Sequence, residues 1–348
     1  GIMSATSDTG APDTARAPTA SPGRKGRISG LTAGRNRLGL YLVTPTLVLL
    51  AIVILYPVVR GVIMSFQNDP GLDPATGLFV SGGFAGLKNY THWLFQRCNS
   101  PGGGTVRCPP GSLGALFWSS MGVTIFFTVA TVVIEVCLGM WMAVIMNRAF
   151  RGRGLLRASV LVPWAIPTAV TAKLWLFIFA FQGIANSLFR THILWTGDQW
   201  ASRFAIVIAD VWKTTPFIAL LILAGLQIIP EEVYEAAKVD GASAWQRFTR
   251  VTLPLVKPAL LVAILFRTLD VLRIYDLPAI LTLGGGGSGH ATTSLSILVV
   301  DQIRQGFNSA AALSTLTFLF IFLVAFVFVK VLGANVVQTQ QRQRKEAR

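Results

Sequence analysis

Four ionisable residues stand at three-residue intervals inside an apolar stretch: Arg267, Asp270, Arg273 and Asp276, with Tyr275 beside the last. A charge within hydrocarbon is costly unless it is paired or faces a cavity, so each is a candidate for function. Alternating signs at i, i+3 can neutralise one another along a helix, and one reading is a structural ladder turned toward neighbouring helices. The other is that Asp270, Arg273, Tyr275 and Asp276 line a path for a solute, with carboxylate and guanidinium groups to serve hydroxyls and an aromatic face to meet a ring. Four more charges lie near the middle of other apolar runs. Asp210 and Lys213 are spaced to pair locally, and Glu135 and Lys173 read as an interhelical pair. Trp164, Trp175 and Trp212 read as packing or interface anchors.

Covalent chemistry finds no support. His92, His192 and His290 lie in unrelated segments without metal-ligand spacing. No GxxxxGK[ST] run occurs that could cradle ATP phosphates, so any ATPase must be another chain. Cys98 and Cys108 share one connection with a flexible Pro/Gly-rich spacer. They are either two free thiols or, as we expect for an oxidising space, a disulfide. Cys137 lies in an apolar run and is expected to be a small buried side chain.

A polar stretch, residues 230–258, separates two of these runs. Pro230 followed by Glu231 and Glu232 is a helix start. The small pair Ala236 and Ala237, after Glu235, would let another surface approach closely, and Gly241 can supply the left-handed turn that ends the helix. Trp245, Phe248 and Val251 recur at helical spacing on a second short helix, which Leu253-Pro254 and Pro258 are expected to stop. Such a helix-turn-helix suits a partner at a membrane surface.

The elements that position these residues follow from composition. The chain has 348 residues, 53% hydrophobic and 13% charged, with mean hydropathy +0.59, as in a polytopic membrane protein. Six apolar runs, at 38–66, 117–146, 155–181, 204–229, 259–283 and 310–332, each reach the roughly 20 residues needed to span about 30 Å of hydrocarbon. Prolines 45, 57, 163, 167, 216 and 278 mark expected kinks. The first run is too long, and lacks a small-residue cleavage site, to read as a cleavable signal peptide. Residues 1–37, poor in large apolar side chains, read as a disordered tail. The membrane domain is then 38–333, with the polar loop at 230–258, a Gly/Pro-rich connection at 67–116, and a second tail at 334–348. The flexible GGGGSGH at 284–290 follows the fifth run.

The net charge of +15 invites a nucleic-acid reading, but its distribution decides otherwise. In a six-span arrangement eighteen Lys and Arg fall on the side of both termini and the polar loop, against six on the other. Both termini and the loop are therefore expected to be cytoplasmic, and no nucleic-acid partner is expected.

Glu235-Ala236-Ala237, then Gly241, then Val251-Thr252-Leu253-Pro254 resembles the EAA loop of bacterial ABC importer permeases, which prefer isoleucine where Val251 stands. FAGLKNY (84–90), RGRGLLRASVLVPWAIP (151–167), DVWKTTPF (210–217), LAGLQIIPEEVYEAAKVDGA (223–242) and YDLPAILT (275–282) resemble the carbohydrate-importing, maltose-type permeases. Among these the chain looks most like the trehalose-type permeases of actinobacteria. A departure is LGGGGSG where the family writes GGGP. The resemblance implies an all-α, six-helix type I ABC importer permease in the bacterial plasma membrane, without covalent catalysis of its own. It implies a second permease, a cytoplasmic ATPase dimer holding ATP and Mg, an extracytoplasmic solute-binding protein, and a sugar such as trehalose. Glu235, Ala236, Ala237, Gly241, Leu253 and Pro254 would couple to the ATPase, and the FAGLKNY element favours the first permease of a heterodimeric pair. The rival reading is an ion-gradient-driven secondary transporter or channel whose intramembrane charges carry protons or ions. A membrane enzyme is more distant still.

Overall fold

The computed structural model describes residues 26–73, 76–282 and 289–346, with side chains from 37 to 331 within those ranges. Residues 1–25 of the expected N-terminal tail and 284–288 of the glycine-rich loop lie outside the described residues. Among the described residues, five helices are long and apolar enough to cross a membrane, or six if one bent pair is counted as a single span. That reproduces the six expected spans.

The chain divides into two units at Val59/Arg60. The first carries a helix, Gly26–Leu50, followed by a π-helical turn, Ala51–Leu55. Helix thus begins inside the segment read as a disordered tail, a correction for residues 26–37. Pro45 is accommodated within the helix, whereas the π turn precedes Pro57, whose missing N–H breaks the regular ladder.

In the second unit, span two (Leu113–Asn147) packs against span four (Gln199–Gln227). Gly139 makes their contact close, since a Cβ there would fall 2.7 Å from Ile218. Span five approaches span four in the same manner, with Ala259 against Gly225. Inside these helices hydroxyls return to the preceding turn: Thr124, Thr128, Thr131, Thr214 and Thr215 each donate to a carbonyl four residues back. These hydroxyls are thereby satisfied without water.

The kink expected at Pro167 is observed, and one expected boundary is corrected. Span three is a broken pair, Arg153–Ala165 and Thr168–Ile178, bent by 90° where Ile166 and Pro167 adopt extended backbone. Pro167 cannot supply an N–H and disfavours helix in the residue before it. Span five is longer at its start than expected: Ala244–Val271 is one run. Its first turn is closed by a capping box in which Ser243 Oγ accepts from Gln246 N and Gln246 Oε1 accepts from Ser243 N. A π turn, Phe248–Thr252, then carries the helix past Pro254. Leu253-Pro254 and Pro258 do not stop the helix. Pro254 stands in the first turn after the π turn, where a missing N–H costs little, and Pro258 is accommodated inside the helix.

The connection at 67–116 is more ordered than its Gly/Pro content suggests. It holds three two-stranded antiparallel pairings and a helix, Lys88–Leu94. Asn89 Nδ2 donates to the Ser65 and Gln67 carbonyls at 2.9 and 2.8 Å. Asp69 caps the last span (Phe307–Val331): its carboxylate accepts from Asn308 N at 2.6 Å and Ser309 N at 3.0 Å. The buried Trp93 indole donates to the Ser309 carbonyl at 3.0 Å.

Candidate functional site

A cavity of about 630 Å³ opens where spans three, four and five meet, within the roughly 300–1,000 Å³ of small-molecule sites. Two backbone breaks form its walls. Trp164 to Thr168 come from the bend of span three. Val271 to Leu277 come from the end of span five and the short helix Asp276–Leu281 that follows. Non-helical backbone at membrane depth is tolerated where it lines a cavity, so the cavity and the breaks account for each other.

Arg267 is the centre of the charges. It is 2% exposed and engages three carboxylates at once. Nε donates to Glu135 of span two at 2.7 Å, Nη1 to Asp270 at 2.5 Å, and Nη2 to Asp210 of span four. Glu135 is fully buried and Asp210 nearly so, whereas the Asp270 side chain is 62% exposed toward the cavity. One planar guanidinium therefore ties three helices together and holds one carboxylate at the cavity edge.

The expected pairings are corrected accordingly. Glu135 pairs with Arg267 rather than Lys173, which is exposed. Asp210 also pairs with Arg267, and Lys213 instead donates to the Trp164 and Ile166 carbonyls. Those carbonyls are freed by the break in span three, and a cation suits the end of a half-helix. Of the expected i, i+3 ladder, the Arg267–Asp270 rung forms. The helix ends at Val271, Arg273 Nε turns back to the Leu269 carbonyl at 3.2 Å, and Asp276 opens a new helix. Asp270, Arg273, Tyr275 and Asp276 nevertheless line the same cavity. Trp164 also lines it and stacks on Phe217 at 5.8 Å, while Trp175 and Trp212 pack edge to face at 5.7 Å.

The polar loop forms a helix, Glu231–Val239, ending at Asp240 with Gly241 at φ +77°. This is the left-handed position that favours glycine. Glu235 and Ala236 are exposed, Ala237 is half-buried, and the apolar Val239 and Trp245 stand 87% and 71% exposed. Leu253 and Pro254 lie farther on, at the root of the α-helical part of span five.

In the connection at 67–116, Cys98 and Cys108 form a disulfide, as expected. His92 lies against it, with Nδ1 at 2.7 Å from the Arg97 carbonyl and 3.9 Å from Cys98 Sγ. The His92 imidazole pKa is pushed below its ordinary value, chiefly by burial. Sequence spacing hid this juxtaposition, because the hairpin 97–99/105–107 creates it. With both sulfurs bonded to each other they are not available as thiolate ligands. Cys137 is exposed, correcting the expectation of burial. It shares the outer face of span two with Val133, Ile134 and Trp141, where an apolar side chain can face lipid.

Residues 135–340 match the family described as binding-protein-dependent transport system inner membrane component. The trehalose/maltose transport system permease protein MalF of Thermococcus litoralis is 40% identical over 301 residues, covering 85% of this chain and 93% of that one. The trehalose transport system permease protein SugA of Mycobacterium tuberculosis is 37% identical, covering 88% and 92%. The sulfoquinovosyl glycerol transport system permease protein SmoG of Agrobacterium fabrum is 35% identical, covering 81% and 86%. A chain of a bacterial ABC transporter involved in the import of the acidic polysaccharide alginate has the same fold, with TM-score 0.69 at 18% identity, covering 88% and 99%.

Proposed function

The chain belongs to the binding-protein-dependent transport system inner membrane components, and on that premise we propose that it imports a disaccharide of the trehalose or maltose class. It is a multi-pass membrane permease, a transport component rather than an enzyme. In this reading it contributes half of the translocation path and a second permease the other half. A cytoplasmic ATPase dimer binds ATP and Mg, and an extracytoplasmic solute-binding protein delivers the sugar. Both termini and the 230–258 loop face the cytoplasm, in keeping with the excess of Lys and Arg on that side.

The observation that carries the reading is the exposed helix Glu231–Val239, closed by a left-handed glycine and flanked by bare apolar side chains. A solvated loop gains nothing from exposing Val239 and Trp245; a docking element does. Glu235 would meet a basic group on the ATPase, and the small Ala236 and Ala237 would permit close seating. ATP-driven closure of the ATPase would push this helix and rock the spans between inward-open and outward-open states. Asp270, Arg273, Tyr275 and Asp276 would face the passing sugar. The ion-gradient alternative draws on the same buried charges, but Glu135 and Asp210 are already engaged by Arg267 within the chain.

The test is uptake of labelled trehalose and maltose, ATP hydrolysis and ATPase co-purification for Glu235→Lys and Gly241→Asp. Both are expected to abolish uptake while the chain remains inserted. Gly241→Asp should also weaken ATPase attachment, since a side chain there is strained at positive φ and adds charge beside Asp240. Normal uptake in both would sink the coupling assignment.

A further inference from the structure

The helix Glu231–Val239 has no buried residue, so the body of the protein holds it weakly by packing. Among the described residues, one side-chain hydrogen bond joins it to a span: Tyr234 Oη lies 3.2 Å from Thr252 Oγ1. Thr252 is buried and forms the last residue of the π turn Phe248–Thr252. Its hydroxyl also lies 3.4 Å from the Arg247 carbonyl five residues back. The turn is closed by Leu253 N donating to the Phe248 carbonyl, again five residues back. π turns inside helices are locally widened segments that recur at functional sites.

From Thr252 the helix continues unbroken to Val271. Arg267 lies fifteen residues beyond Thr252, a rise of about 22 Å at 1.5 Å per residue. At that point it grips Glu135 of span two, Asp210 of span four and the cavity-facing Asp270. The two ends of one rigid helix thus carry the attachment of the loop and the knot of charges at the cavity. Loop and rod also share a covalent connection through Gly241 and Ala242, where Arg247 Nη1 donates to the Ala242 carbonyl at 2.6 Å. A left-handed glycine hinge alone would let the helix swing without moving the span.

We propose that Tyr234 is a positioning residue: its hydroxyl clamps the coupling helix to the π turn of span five, so that displacement of the loop is delivered to Arg267 and the cavity. This rests on the coupling-loop reading above, and names the contact through which that loop acts. Glu235 and its small neighbours face the partner, whereas Tyr234 faces the span.

The test uses the complete transporter in liposomes, with Cys137→Ser to remove the free thiol and Thr168→Cys to report from the cavity wall. Labelling of position 168 by a charged maleimide is timed before and after trapping with ATP and vanadate, which needs no knowledge of the sugar. Tyr234→Phe is expected to reduce the ATP-dependent change in labelling rate roughly five-fold, the worth of about one net hydrogen bond, with ATPase co-purification unchanged. Thr252→Val should match it, Thr252→Ser should retain the change, and the double variant should be no worse than either single one. A full-sized change in Tyr234→Phe, additive losses in the double variant, or lost co-purification would each overturn the clamp, even where Glu235→Lys abolishes uptake. Labelling indifferent to ATP in the parent would overturn the coupling-loop reading and the clamp together.

Discussion

Replacing Arg267 by Met should damage the fold before it damages transport. The methionine side chain is apolar, flexible and of similar volume though shorter, so it removes the charge without opening a large void. What it leaves is Glu135 at 0% exposure and Asp210 at 7%, both without their cation. Removing one partner of a buried pair typically costs about 3–5 kcal/mol, because the remaining charge is stranded. Two carboxylates are stranded here, so about 3 kcal/mol is a lower bound. The third pair adds little: the Asp270 side chain is 62% exposed, and solvated i, i+3 pairs are worth about 0.3–0.5 kcal/mol. At about 2–4 °C per kcal/mol, the apparent unfolding temperature of the purified chain should fall by about 6 °C or more. The control is a neutral core. Combining Arg267→Met with Glu135→Gln and Asp210→Asn removes the stranded charges and should recover at least half of the loss. A fall of less than about 2 °C in the single variant would refute the reasoning. So would a triple variant no more stable than the single one.

Two further outcomes follow from the same geometry. Asp270→Asn and Arg273→Gln, whose side chains face the cavity rather than the core, should impair trehalose or maltose uptake while leaving unfolding temperature and ATPase co-purification near wild type; normal uptake in both would remove them from the path. Unreduced protein should take up thiol label at neither Cys98 nor Cys108, and Cys98→Ser should raise proteolysis of the 67–116 connection; loss of a link closing about ten residues is worth roughly 2–3 kcal/mol.

Much of the fold was legible because apolar length is a one-dimensional property. Six runs of spanning length needed no knowledge of what they packed against. The left-handed end of the helix Glu231–Val239 was legible too, since Gly241 is the residue that φ +77° favours. The charge pairing was not. Whether Glu135 meets Lys173 or Arg267 depends on how span two is rotated about its axis, and every face of that span is apolar enough to be turned inward. Separations of 132 residues for Glu135–Arg267 and 57 for Asp210–Arg267 leave no local trace. The cost of charge in hydrocarbon singled out Asp270, Arg273 and Asp276, which do share a cavity with Tyr275, but not as the expected ladder, because the helix ends at Val271. The continuity of span five was missed because Pro254 and Pro258 are helix breakers in most contexts. A π turn just before them changes which carbonyls need a partner, and no residue pattern announces one.

The two broken elements and the one unbroken one have a common logic. A helix in hydrocarbon can be interrupted only where something replaces its lost hydrogen bonds. At the bend of span three that replacement is Lys213, whose ammonium meets the Trp164 and Ile166 carbonyls. After Val271 it is Arg273, which returns to the Leu269 carbonyl, together with Ile274 N on the Val271 carbonyl. Both interruptions open on the same cavity. Span five, which must stay straight to hold Arg267 against spans two and four, is uninterrupted up to that point and broken immediately after it. The charges in the apolar runs therefore divide by task. Arg267, Glu135 and Asp210 are consumed in holding helices together, and Lys213 in holding a bend open. Of the charged groups that line the cavity, that leaves Asp270, Arg273 and Asp276, two carboxylates and one guanidinium. Such a lining carries no excess positive charge to attract an anion, and offers both acceptors and donors to a neutral, hydroxyl-rich molecule.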